Sequence, residues 1–206
     1  MEKHRNLKRI KGGSNCNVYI YSTDKNRFAI KISGNGLIDK EIGLQIIKDY
    51  KRIKNKLFKK GIRVPETKNI YITSSVKADL VIIEKYCGVS LREILRSVRV
   101  TVKTKVLLIR RCIEYIYKLP EDIPLDTNPG NFVIHNNLVT FVDFTPPDPW
   151  KYPKNSNNGR ILSKIFTSIS SPPYKNKKLS YYKNLYRVKR FKYHCENLCP
   201  GFEKYL

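Results

Sequence analysis

Residues 123–145, Ile-Pro-Leu-Asp-Thr-Asn-Pro-Gly-Asn-Phe-Val-Ile-His-Asn-Asn-Leu-Val-Thr-Phe-Val-Asp-Phe-Thr, constrain the folding of this chain more than any other stretch. Two apolar runs, 132–134 and 139–142, stand on either side of Asn136-Asn137 and read as a hairpin that ends at Asp143. Upstream, the Pro129-Gly130 pair turns the chain between Asp126 and Asn131, which are five residues apart. The arrangement brings Asp126, Asn131 and Asp143 into one small space.

A base, a metal ligand and a second metal ligand in one place are what the transfer of a phosphoryl group requires. The residues alone leave open a plainer reading, an acidic turn beside a hairpin that happens to show this spacing. The order of the residues nonetheless resembles the protein-kinase-like superfamily. Asp126 and Asn131 match its catalytic-loop pattern Asp-x-x-x-x-Asn, and Asp143-Phe144-Thr145 matches its Asp-Phe-Gly motif with Thr in place of Gly. Pro124 stands where a His is usual, and Asn128 where Ser/Thr protein kinases carry a Lys. The Asp-x-x-Pro-Gly-Asn wording is closer to aminoglycoside phosphotransferase-like and other atypical kinases.

The beginning of the chain fits the same resemblance. Residues 7–32 read as strands around a turn at Gly12-Gly13-Ser14-Asn15, where missing side chains let backbone N–H groups approach phosphate oxygens. This turn is similar to the glycine-rich loop of kinases, with Gly13 as the middle glycine, Cys16 where the third is usual, and Val18 closing the motif. Phe28-Ala29-Ile30-Lys31 matches the Val-Ala-Ile-Lys strand, whose Lys holds the alpha and beta phosphates. A helix follows over residues 39–60, with Ile42, Ile46, Tyr50, Ile53 and Leu57 at three- and four-residue spacing. The resemblance implies that Glu41 pairs with Lys31, while a capping role at the helix N-terminus stays open for it. Two further strands are expected at 69–73 and 79–84. The segment around Glu84 and Tyr86 is similar to the kinase hinge, whose backbone binds the adenine edge.

Ser90 and Glu93 form a capping box for a short helix, and a second long helix starts at Thr101 or Thr104 and ends before Pro120. Beyond Thr145 the resemblance fades. Helices are expected at 161–169 and 181–191, with a turn-rich linker between them. Residues 151–206 carry 13 Lys plus Arg against 2 acidic residues, interleaved with aromatics. Such a segment binds nucleic acid by charge and stacking, or packs as a basic amphipathic helix on the larger lobe.

With 206 residues and 41% hydrophobic content, the chain can fold around its own core without staples. Its 41 Lys plus Arg against 17 Asp plus Glu give a net charge of +24, which favours polyanionic or acidic partners without naming one. Five Cys without a Cys-x-x-Cys pair suggest neither a disulfide framework nor a zinc site. The expectation is therefore an α+β, bilobal, kinase-like fold: an N-lobe over 1–85 of antiparallel sheet plus one helix, and a reduced, mainly helical C-lobe over 86–206. The resemblance implies an ATP-dependent phosphotransferase, a minimal protein Ser/Thr kinase first, with a small-molecule kinase or a pseudokinase acting on RNA or an acidic partner as alternatives. Its cofactors would be ATP and Mg²⁺. Asp126, Lys31 and Asn131 would be catalytic. Gly12, Gly13, Ser14, Val18, Lys31, Glu41, Glu84 and Tyr86 would hold the nucleotide, and Asn131 and Asp143 the metal. The expected partner is a protein substrate with an acidic surface, or nucleic acid at the basic C-terminal segment. No membrane span is expected, and the reducing cytoplasm is the expected compartment, with delivery into another cell left open.

Overall fold

The computed structural model describes residues 7–10, 17–32, 40–73, 79–144 and 179–206, apart from the side chains of 40–42 and 179–180. Gly12, Gly13 and Ser14 of the expected phosphate turn lie outside these residues. So do the helix expected at 161–169 and the linker after it. The chain divides into two compact units, and the division falls inside the first long helix, after Lys51, and again after Tyr86.

The first unit is built on a five-stranded antiparallel sheet. Its strands are β1 (Leu7–Ile10), β2 (Asn17–Ser22), β3 (Arg27–Ile32), β4 (Thr67–Ile72) and β5 (Leu80–Lys85), in the order β1-β2-β3-β5-β4. β-Branched and aromatic residues recur in these strands, as a pleated and half-buried surface favours. Register fixes the residues that concern function. Val18 lies opposite Lys31, and Lys31 opposite Ile82. Glu84, two residues beyond Ile82, therefore sits on the same face as Lys31, one diagonal step away. Helix α1 (Lys40–Lys59) begins in this unit and fulfils the expected periodicity, with Tyr50, Ile53 and Leu57 all buried.

The second unit takes the end of α1 and nearly all the later elements. Its three-stranded sheet runs β6 (Val89–Ser90), β7 (Phe132–His135) and β8 (Leu138–Phe141), all antiparallel. The β7–β8 connection is the two-residue turn expected at Asn136-Asn137. Both asparagines take positive φ, 48° and 62°, a conformation that Asn tolerates and that matches the twist of a hairpin. β6 had no sequence signal, being only two residues long. It is held against β7 through Gly88, whose φ of +125° and absent side chain let its backbone lie where a Cβ would be 2.2 Å from the Ile134 carbonyl oxygen.

Helix α2 (Leu91–Arg96) carries the expected capping box, Ser90 accepting from the Glu93 N–H while the Glu93 carboxylate accepts from the Ser90 N–H. Helix α3 (Val102–Lys118) is capped by Thr101. At the end of the chain α4 (Leu179–Tyr182) and α5 (Asn184–Glu196) replace the single helix expected at 181–191, with the break at Lys183. The core of this unit includes the buried Leu91, Ile109, Cys112, Ile116, Phe144 and Cys195, and Phe132, whose ring lies 5.2 Å from Phe141 and meets Phe191 of α5 edge-on at 5.4 Å. Among the described residues no helix is long and apolar enough to cross a membrane.

Candidate functional site

In the first unit Lys31 projects from β3 toward Glu84 of β5, with Nζ 2.9 Å from Oε2. The pairing of Lys31 with Glu41 that the resemblance implies lies outside the described residues, which do not include the Glu41 side chain. Glu84 is buried, at 1% exposure, and its second oxygen accepts a 2.6 Å hydrogen bond from the Tyr50 hydroxyl of α1. Thr67 stands 2.7 Å from the same hydroxyl. Burial, together with the Glu84 carboxylate, pushes the Tyr50 phenol well up, so it remains a donor. Glu84 and Tyr86 belong to the segment expected to serve as a hinge. Glu84 lies inside β5 with Ala29 and Thr67 opposite it, and it acts through its side chain. The N–H of Tyr86 donates to the Arg27 carbonyl at 2.9 Å, and its ring lies 4.3 Å beneath the Arg27 guanidinium. Val18, on β2, borders Lys31 as a strand neighbour.

In the second unit the segment between α3 and β7 is a chain of side-chain-to-backbone bonds. Asp126 Oδ1 accepts the Asn128 N–H at 3.0 Å, and Asn128 Oδ1 accepts the Gly130 N–H at 3.0 Å. These two Asx turns wind residues 129–131 into a single 3₁₀ turn with Pro129 at its start, where its fixed φ suits the geometry and no N–H is needed. The Asn131 side chain folds back and donates Nδ2 to the Asp126 carbonyl at 2.9 Å. Its Oδ1 is the amide atom left over for a ligand. The Val142 N–H donates to the Asn131 carbonyl at 2.9 Å, which fastens the end of β8 to the turn and sets the exposed Asp143 one residue away. Phe144, after it, is buried and anchors that end.

Two arginines brace this loop, one of them, Arg190, from the segment expected to meet an acidic partner. Arg92 of α2 donates to Asn128 Oδ1 at 2.5 Å and lies over Gly130, where a Cβ would stand 3.3 Å from its guanidinium carbon. Arg190 of α5 places Nη2 3.1 Å from Asp126 Oδ1 and stacks its guanidinium 4.3 Å from the Tyr181 ring centre. No family model and no curated protein matches this chain. The site therefore stands on its geometry. Only its position in the folded unit identifies Arg190, since it follows Asp126 by 64 residues.

Beneath Arg190 lies a third guanidinium, that of Arg187, which is fully buried. It donates to the carbonyls of Tyr181 at 2.6 Å and 2.8 Å, Pro120 at 3.1 Å and Ile123 at 2.5 Å, and to Asn184 Oδ1 at 2.7 Å. Burial pulls its pKa down to about 10, which leaves it charged at neutral pH. From the loop, Leu125 N–H donates to the Tyr181 carbonyl at 2.9 Å, and the Thr127 hydroxyl to the Arg187 carbonyl at 3.2 Å. Arg187 and Arg190 of the C-terminal basic segment thus act as a structural clamp on the loop. His194, one turn beyond Arg190, has its pKa lowered by burial first and by Arg190 next.

Among the described residues no group of three or more His, Cys, Asp and Glu side chains could hold a metal ion. Magnesium in phosphoryl transfer needs less than such a group, since one or two protein oxygens suffice beside phosphate and water. Asn131 Oδ1 and the Asp143 carboxylate are oxygen donors of that type. Asp126, Asn131 and Asp143 belong to one loop and hairpin of the second unit, whereas Lys31, Glu84 and Tyr86 belong to the first.

Proposed function

We propose that this chain is a phosphotransferase that uses ATP with Mg²⁺. The observation that carries the reading is the pose of Asn131. Its Nδ2 donates to the Asp126 carbonyl, which ties the side chain to the loop and, among the described residues, leaves Oδ1 for a ligand. Asp126 orients the acceptor hydroxyl and takes its proton, and Asn131 and Asp143 hold the metal, which neutralises charge on the phosphates. For Lys31 the resemblance implies the nucleotide phosphates, with Glu84 fixing its ammonium. Positioning and charge supply nearly all the catalysis in this chemistry, so a short chain suffices.

A protein Ser or Thr hydroxyl is the acceptor in this reading, because the described C-terminal residues form a clamp on the loop and not a large helical substrate pocket. A small-molecule acceptor is the second reading, favoured by the Asp-x-x-Pro-Gly-Asn wording of the loop. The test is incubation with gamma-labelled ATP, Mg²⁺ and a cell lysate, with Asp126→Asn as control. Labelled protein supports the first reading and labelled small molecule the second. No transfer by the wild type, to any acceptor or to water, overturns both. With Asp126→Asn, turnover should fall about a hundredfold or more while nucleotide affinity is kept.

A further inference from the structure

We propose that Arg190 is a positioning residue for Asp126, fixing its carboxylate so that Oδ2 alone is presented to the acceptor; this rests on the phosphotransferase reading above. The carboxylate has one free torsion that matters, rotation about its bond to Cβ. Asp126 Oδ1 is held twice, by the Asn128 N–H at 3.0 Å and by Arg190 Nη2 at 3.1 Å, and these two directions fix that rotation. Among the described residues Oδ2 has no hydrogen-bond partner.

The second, independent observation is on Arg190 itself. Its side chain is nearly buried, yet Nη1 has no hydrogen-bond partner. A side chain needed only to fill space against Tyr181 would bring no unpaired donor into the interior, where such a group is a standing free-energy cost. The fork is held in this pose by Asp126 at its other nitrogen and by the Tyr181 side chain against its face. Arg187 makes the contrast plain, since both its terminal nitrogens and its Nε bond to carbonyls of the surrounding backbone. Arg187 is the clamp that sets the helix, and Arg190 is what the helix delivers.

The test compares the full chain with Arg190→Met, Asp126→Asn and the double variant, using Mg²⁺ and gamma-labelled ATP. Phosphate release to water, nucleotide affinity and melting temperature are read for each. Met keeps an apolar stem over Tyr181 and removes the fork. Arg190→Met is expected to lose about a hundredfold in turnover with unchanged nucleotide affinity, the effect of a misplaced catalytic group. In the Asp126→Asn background the same change is expected to cost nothing further in turnover, because Arg190 acts through Asp126. Arg190→Lys, which keeps charge and length but not the fork, is expected to fold normally and lose about tenfold. Equal losses in both backgrounds, or wild-type turnover in Arg190→Lys and Arg190→Met, overturn the proposal. A wild type that transfers phosphate neither to water nor to any acceptor of the lysate overturns the phosphotransferase reading instead, and the positioning role falls with it.

Discussion

Lys31 shows how a residue assigned to a ligand also belongs to the fold. Its partner Glu84 is buried, with the Lys31 ammonium on one oxygen and the Tyr50 hydroxyl donating to the other. Replacing Lys31 with Met would leave a buried carboxylate without its cation, a change that costs about 3 kcal/mol. The prediction is that Lys31→Met lowers the melting temperature as well as turnover, and that Glu84→Gln added to it restores part of the stability. A Lys31→Met protein that melts as the wild type does would show that the pair is not coupled. Lys31 was legible in the sequence because it ends an apolar strand at a set distance from Val18. Its partner was not, because Glu84 reaches it only through strand pairing, and no spacing in the sequence records which strands become neighbours. Arg190 was hidden for the same reason.

At the level of elements, what was legible is what local chemistry decides. The Asn136-Asn137 turn, the Ser90–Glu93 box and the apolar stripe of α1 each depend on residues within a turn or two of one another, and each is found where the sequence put it. β6 depends instead on a long-range approach of backbone to backbone at Gly88. Adding a methyl group there meets both the Ile134 carbonyl and a φ that side chains rarely adopt, so Gly88→Ala is predicted to destabilise the second unit by well over about 1 kcal/mol. Chemical denaturation followed by the amide exchange of β7 reads this directly. Unchanged exchange in β7 would mean that β6 is not held by that contact. α5 was misread at its boundaries because the break at Lys183 is fixed by Glu121, which accepts from the Asn184 N–H at 2.8 Å and from Lys183 at 3.1 Å.

For the whole molecule the dominant quantity is the charge of +24. Arg187 and Arg190 are committed to the interior, so these two cations of the basic C-terminal segment are not offered to a partner. Lys189 is exposed, with its ammonium 5.6 Å from the Tyr186 ring centre, and Lys192 is half-buried. Binding to a polyanion such as heparin or a random RNA is predicted to weaken steeply with salt. Reversing Lys189 and Lys192 to Glu should reduce the slope by no more than about 2, since most of the cations lie elsewhere along the chain. A slope that vanishes in this double variant would locate the whole interaction on α5. Reversing Arg187 is a different experiment, because it places a carboxylate among five acceptor contacts and unfolds the second unit.

Leu125, Asp126 and Thr127 are all held by groups that lie beyond residue 178. A growing chain that has been made as far as β8 already contains every residue of the Asp-x-x-Pro-Gly-Asn loop and the Asn128 N–H that its carboxylate accepts from, yet not the Arg190 guanidinium beside it. The ribosome adds about 5–20 residues per second, so roughly 4–14 seconds separate the synthesis of Asp126 from the completion of α5. During that interval the loop is written but not set. The order of translation therefore delays the setting of this loop until the last long helix docks.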